Sequence, residues 1–243
     1  LASGTYTWPL EANQIDREGL LVSVEPDNAA LGSVSVVGSP GAGRCHWSWR
    51  SVDFSRPAGS TVACYTVHPS QVAVLKNCSF QGASAGVGLE CSPLGSARAV
   101  HCHAYNCDVP YMGVGVIRSC SAVNTRNIFA IDCSVVDGCI STFTTSGNKG
   151  RYFVKLRPDF VDPVAITNNT LVDQGNVSFL SSGCIKESEL NGNVASGTAD
   201  NMVDIGDAYS SSFAHNTCNT TAVGGKAITV SGNVRSCNTV NNW

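Results

Sequence analysis

The chain has 243 residues, 43% of them hydrophobic and 14% charged, with a formal net charge of -3. That length and apolar content suffice for a full core, while the weak negative charge and the lack of basic runs exclude nucleic acid and anionic membrane as electrostatically captured partners. No apolar run approaches the about 20 residues of a membrane-spanning helix, so membrane insertion is not expected.

In chain order, Leu20 to Val24 and Ser33 to Val37 read as strands of a first coil or two, and Leu10 to Gly19 as a short helix covering that end. Residues 1–48 are therefore assigned to N-terminal strands and a cap. From residue 49 onward a short unit recurs: an apolar residue, two further positions, a turn-tolerant residue, a small polar residue, then another apolar one. Anchored on its fourth position it falls at Val52, Cys78, His103, Cys133, Asn169, Ser188, Asn216 and Cys237. Three residues before the anchors stand Trp49, Leu75, Val100, Ala130, Ile166, Ile185, Phe213 and Val234. Two after them stand Phe54, Phe80, Tyr105, Val135, Leu171, Leu190, Cys218 and Thr239.

Both columns read as core-facing, yet they are separated by an odd number of residues, which strict β alternation forbids. A bend must break the parity. Asn77, Asn168, Asn169 and Asn216 lie at or beside it, and asparagine enters the left-handed region more readily than most residues.

A second strand follows each bend, as in Gly86-Val-Gly-Leu89, Cys139 to Phe143, Val177 to Leu180, Asn201 to Ile205 and Lys226 to Val230. A period of about 25 residues carrying two or three short strands is that of a solenoid, in which no coil buries its inner face until neighbours stack on it. The expected fold is all-β, a single right-handed parallel β-helix of about 8 coils over residues 49–243. One coil is longer than its neighbours, and its extra residues are placed at 148–163 as an excursion of the kind that often carries function.

Twelve cysteines without any Cys-x-x-Cys spacing point to disulfides rather than to zinc or dithiol redox chemistry. Four acceptor triplets for N-glycosylation begin at Asn77, Asn168, Asn176 and Asn219. Together these predict a secreted, extracellular or virion-surface glycoprotein. The five histidines offer no metal spacing beyond His101-Cys102-His103, whose middle residue points to the opposite face, so neither a metal nor a cofactor is expected.

Ala165-Ile-Thr-Asn-Asn-Thr-Leu-Val172, set in this repeat, resembles the recurring apolar-x-Asn-Asn-x-apolar coil of the pectin-lyase-like superfamily of right-handed β-helices. The resemblance covers about residues 49 to 243 and implies the fold. That superfamily includes polysaccharide lyases, polygalacturonases, phage tailspikes and adhesins, so it leaves the function open. The Arg-x-Pro-x-x-Arg motif of pectate lyases is absent, because Arg157-Pro158 has no arginine three residues on. The Asn-Thr-Asp, Asp-Asp, Gly-His-Gly and Arg-Ile-Lys set of polygalacturonases is absent too.

Among candidate chemistry, Phe153-Val-Lys-Leu-Arg157 stands out. Alternation buries Val154 and Leu156 and aims Lys155 and Arg157 outward, the pair a uronate lyase needs to neutralise a carboxylate and take a proton. Carboxylate pairs of the glycosidase type are Asp132 with Asp137, Glu187 with Glu189, and Asp204 with Asp207. A basic stripe for binding an acidic glycan contains Arg50, Lys76, Lys186 and Arg235. The chain runs to Trp243 still inside its repeat, and the expectation drawn from this is self-association by end-to-end stacking, or continuation into a longer chain. The leading functional expectation is thus a structural or adhesive β-helix, a fibre or spike segment that contacts glycans. The alternative is a lyase or glycosidase acting on an acidic polysaccharide.

Overall fold

The computed structural model describes residues 2, 4–7, 21–26, 34–37, 46–56, 61–69, 71–82, 86–91, 96–143, 151–160, 162–172, 177–197, 201–220 and 226–242. Every strand pairing among them is parallel, and the strands form three sheets. The first runs from Gly4–Thr7 to Thr217–Thr220 and the second from Leu21–Val24 to Asn238–Val240, ten strands each. The third runs from Tyr65–Val67 to Lys226–Val230 and has nine, counting Val234–Arg235. From His46 to Val230 the chain visits the second, first and third sheets in that order, eight times over. The protein is a parallel β-solenoid.

Strands of the N-terminal stretch lie in the same sheets as the later coils: Leu21–Val24 pairs with His46–Arg50, and Val34–Val37 with Val52–Ser55. The helix expected at residues 10–19 falls outside the described residues. Within the expected excursion, Arg151–Lys155 is a regular strand of the third sheet, in register with Ile128–Ile131 on one side and Val177–Lys186 on the other. No helix of the described residues is long and apolar enough to cross a membrane.

The core is a file of stacked side chains. In the second sheet the inward column is Trp49, Leu75, Ala99, Ile117, Val136, Ile166, Leu190 and Phe213, all buried. Aromatic rings continue through the interior. Phe129, Phe153 and Phe179 sit in successive third-sheet strands with centroids 4.6 and 5.0 Å apart and nearly parallel planes. Trp49 donates its indole N–H to the Tyr65 hydroxyl at 2.9 Å, so its one polar atom is satisfied in an apolar site.

All three corners draw on one construction, a residue in the left-handed region followed by a small one, which is buried except at Cys237 and Asn242, where it is half-buried. At the second-to-first corner the left-handed positions are Ser51, Asn77, His101, Ser119, Gly138, Asn168, Gly192, His215 and Asn241. The residue after each, in the first eight, is Val52, Cys78, Cys102, Cys120, Cys139, Asn169, Asn193 and Asn216. The first-to-third corner uses Asn106 and Asn124, ahead of Cys107 and Thr125. The third-to-second corner uses Gly113, Asp132, Glu187, Ser210 and Ser236, ahead of Val114, Cys133, Ser188, Ser211 and Cys237.

This shared construction corrects the expected register. Val52, Cys78, Asn169 and Asn216 occupy one corner, whereas Cys133, Ser188 and Cys237 belong to another. His103 is one residue out of phase with Cys102, which is why Tyr105 is 43% exposed rather than core-facing.

Side chains at the second-to-first corner form a continuous ladder. Asn193 Oδ1 accepts the Asn169 backbone N–H at 3.1 Å and its Nδ2 at 3.0 Å, while Asn193 Nδ2 donates to the Ile166 carbonyl at 2.8 Å. Asn193 and Asn216 repeat the pattern, as do Asn216 and Asn242. On the other side of Asn169 the ladder changes chemistry: its Oδ1 accepts the Cys139 N–H at 2.8 Å, and cysteines take over. The thiol of Cys120 donates to the Arg118 and Ala99 carbonyls, and its sulfur accepts the Cys102 N–H at 3.4 Å.

The eleven described cysteines are all free. The expected disulfides are therefore not found among the described residues, and the thiols of Cys78, Cys102 and Cys139 are turned onto backbone carbonyls of their own or neighbouring rungs.

Candidate functional site

Alternation in the third sheet puts Leu89, Tyr111, Ala130 and Val154 inside, and the next residue of each strand outside. Those outward residues, Glu90, Met112, Ile131 and Lys155, are register partners on four successive rungs. They floor a groove of about 520 Å³. One wall comes from the adjoining corner, with Asp132 and Arg157. The other is formed by Phe160 and Asp162.

Asp132 organises this corner. It sits at φ 51°, and its N–H donates to the Lys155 carbonyl at 3.1 Å. Its carboxylate accepts the Arg157 backbone N–H at 2.8 Å and pairs with the Arg157 guanidinium. The Asp132 side chain is 8% exposed and that of Arg157 57%, so the arginine is anchored at its base and open to solvent at its face. Lys155 differs in having no carboxylate partner among the described residues. Its ammonium lies 5.4 Å from the centre of the Tyr152 ring.

The groove thus joins an apolar floor, one unpaired and one anchored cation, and the carboxylates of Glu90 and Asp162. Chemically, the lining offers apolar surface at Met112, Ile131 and Phe160 beside the cations of Lys155 and Arg157.

Lys155 and Arg157, paired by alternation in the sequence, are brought together here. The four residues expected in one basic stripe are not. Arg50 and Lys76 are neighbours in the second sheet, and Arg50 also lies 4.0 Å from Glu25. Lys186 and Arg235 lie along the third sheet, separated by the rung of Tyr209. Of the acceptor asparagines, Asn77 and Asn168 are exposed at left-handed corner positions and Asn219 is exposed near a strand end. Asn176 lies outside the described residues.

The carboxylate pairs are not joined into one site. Asp132 serves the groove, whereas the Asp137 carboxylate accepts the Thr167 hydroxyl at 2.7 Å and the Asn168 amide at 3.2 Å. Asp207 accepts the Asn233 N–H at 2.6 Å. Glu187 stands at a corner, and Glu189 pairs with the Asn191 amide. Among the described residues, no three His, Cys, Asp or Glu side chains converge as metal ligands would.

Glu90, Met112, Phe160 and Asp162 escaped sequence reasoning. The signal for Glu90 and Met112 was their position, one residue after a buried third-sheet residue, the place Lys155 also occupies.

No protein family and no curated protein matches this chain. Among solved structures it is similar to the A-module of mannuronan C-5 epimerase AlgE6 from Azotobacter vinelandii, at 10% sequence identity and a TM-score of 0.30. That alignment covers 98% of this chain and 91% of the module. The β-solenoid assignment rests on the strand register of this chain itself.

Proposed function

We propose that the protein is a glycan-contacting β-solenoid whose working surface is the third-sheet groove, and that the groove takes an acidic sugar unit. The observation that carries this reading is the convergence of Lys155 and Arg157 on one groove over an apolar floor. A carboxylate or sulfate on the sugar pairs with the free Lys155 ammonium and with the open face of the Arg157 guanidinium, which Asp132 holds in place at no further ordering cost on binding. Neutral polymers lack that group and leave both cations unused.

Calorimetric titration with oligomers of a uronic acid and with a neutral glucan tests the reading. Binding of the acidic oligomer alone, weakened at least tenfold in Lys155→Ala and falling as salt rises, is the expected result. Equal binding of both polymers, or an unchanged affinity in Lys155→Ala, overturns it.

A second reading, elimination on a uronate, is favoured by the same pair: Arg157 would neutralise the carboxylate, and Lys155, as the neutral amine, would take the C5 proton. The bond between C4 and the linking oxygen then breaks, the C4–C5 double bond forms, and the resulting Lys155 ammonium returns the proton to the departing sugar oxygen, so that an unsaturated uronate and a free hydroxyl are left. The absorbance of that product, appearing on incubation with the acidic oligomer and lost in Lys155→Ala, separates cleavage from binding.

A further inference from the structure

The third sheet carries a second hollow, of about 430 Å³, lined by Lys186, Glu187, Tyr209 and Ser210. It lies where the long strands Val177–Lys186 and Asn201–Tyr209 reach the corner. Lys186, Tyr209 and Arg235 are register partners on three successive rungs, so an aromatic residue stands between two basic ones whose backbones are about 10 Å apart. The Lys186 ammonium stands 6.0 Å from the centre of the Tyr209 ring. Lys186 and Arg235 are exposed, Tyr209 is half-buried, and neither cation has a carboxylate partner among the described residues.

The backbone beneath is fixed. Glu187 donates its N–H to the Tyr209 carbonyl at 3.0 Å and Ser210 to the Arg235 carbonyl at 2.9 Å. Like charges aligned on one edge repel each other, and among the described residues no ion pair offsets that, the Glu187 carboxylate lining the hollow without pairing with either cation. An anionic ligand would do so. A flat ring with a cation on either side matches an acidic sugar, whose apolar face stacks on the tyrosine while its acidic group meets a lysine or arginine.

The position of the hollow relative to the groove adds to this. Ser181 is the register partner of Lys155, and Lys186 stands five residues further along the same strand, at most about 17 Å away along the sheet. We infer that the hollow of Lys186 and Tyr209, together with Arg235 on the next rung, is a second subsite for the same acidic polysaccharide, so that one polymer chain engages the rod at two points. This rests on the acidic-sugar reading of the groove. Two linked contacts raise the affinity for a long chain well above that for a short one, with no new contact at the first site.

Calorimetry with a diuronate and with a long oligouronate tests it on the whole chain, with Tyr209→Ala, the double variant Lys186→Gln/Arg235→Gln, and Tyr209→Phe. In the expected result the first two variants bind the long oligouronate on the order of tenfold more weakly than the parent, and the diuronate within about twofold of it. Tyr209→Phe keeps the stacking face and binds as the parent does. Unchanged affinity for the long oligouronate in both weakening variants, whose far-UV spectra match the parent, overturns the second subsite and leaves the groove reading standing. Diuronate binding that survives Lys155→Ala overturns the groove reading, and failure of the parent to bind either ligand overturns both.

Discussion

The cysteines show how strongly one residue type is shaped by where the fold puts it. Burial pushes the Cys91 thiol up to about 12 from an ordinary 9.0, with the Glu90 carboxylate adding to the effect. Cys133 is raised in the same way, chiefly by burial. Below pH 9 both thiols are neutral whether the chain is folded or not, and no stability depends on them. Above it the unfolded chain releases these protons while the native protein holds them, so stability falls as pH rises from about 9 toward 12. The slope is about 1.4 kcal/mol per pH unit for each thiol. Urea titrations at pH 8 and pH 10 read this directly: the parent loses stability between them, and Cys91→Ala/Cys133→Ala loses less. Equal losses in the two proteins would remove these thiols as the cause.

Among elements, the corner ladder has the most to lose from a single change. Asn193 receives two donors from Asn169 and supplies one to Ile166 and one to Asn216, all buried. Asn193→Ala strands several of these groups at once, and a buried unsatisfied group costs about 1–3 kcal/mol, so a loss of about 3 kcal/mol or more is expected. Asn193→Cys should cost about half as much, because Cys139, Cys120, Cys102 and Cys78 already occupy the equivalent place in preceding rungs. Chemical denaturation of the two variants decides it, and a cysteine variant no more stable than the alanine one would show that the thiol ladder does not stand in for the amide ladder.

The same ladder explains what was legible in the sequence. The apolar columns and the left-handed asparagines carried the solenoid, since their spacing reflects local backbone geometry. The phase of the coils was obscured because all three corners share one recipe, so Cys133 and Ser188 look like Cys139 and Asn193 until strand register separates them. Lys155 and Arg157 were readable because both lie on one strand, where alternation suffices. Asp132 and Glu90 reach them only through stacking, from one and three rungs away.

On the scale of the whole molecule, each rung touches only its neighbours, so stability accumulates along one axis and a defect stays near its rung. The groove spans four rungs, and the second hollow the two that carry Lys186 and Tyr209, with Arg235 on the next. Binding of a polymer across both would therefore fasten several independently fraying coils together, and the expected sign is a rise in thermal midpoint that grows with ligand length.

The interchangeable corners also make the rod a ruler graduated in single rungs. Thr170 and Val194 occupy equivalent places in adjacent strands of the first sheet. Excising residues 170–193 would splice Asn169 directly to Val194, shorten the rod by about 4.8 Å and still leave a corner asparagine facing Asn216. Small-angle scattering should find a shorter particle that still unfolds cooperatively. Cutting 170–189 instead would leave the chain a fraction of a rung out of step and unable to close its sheets.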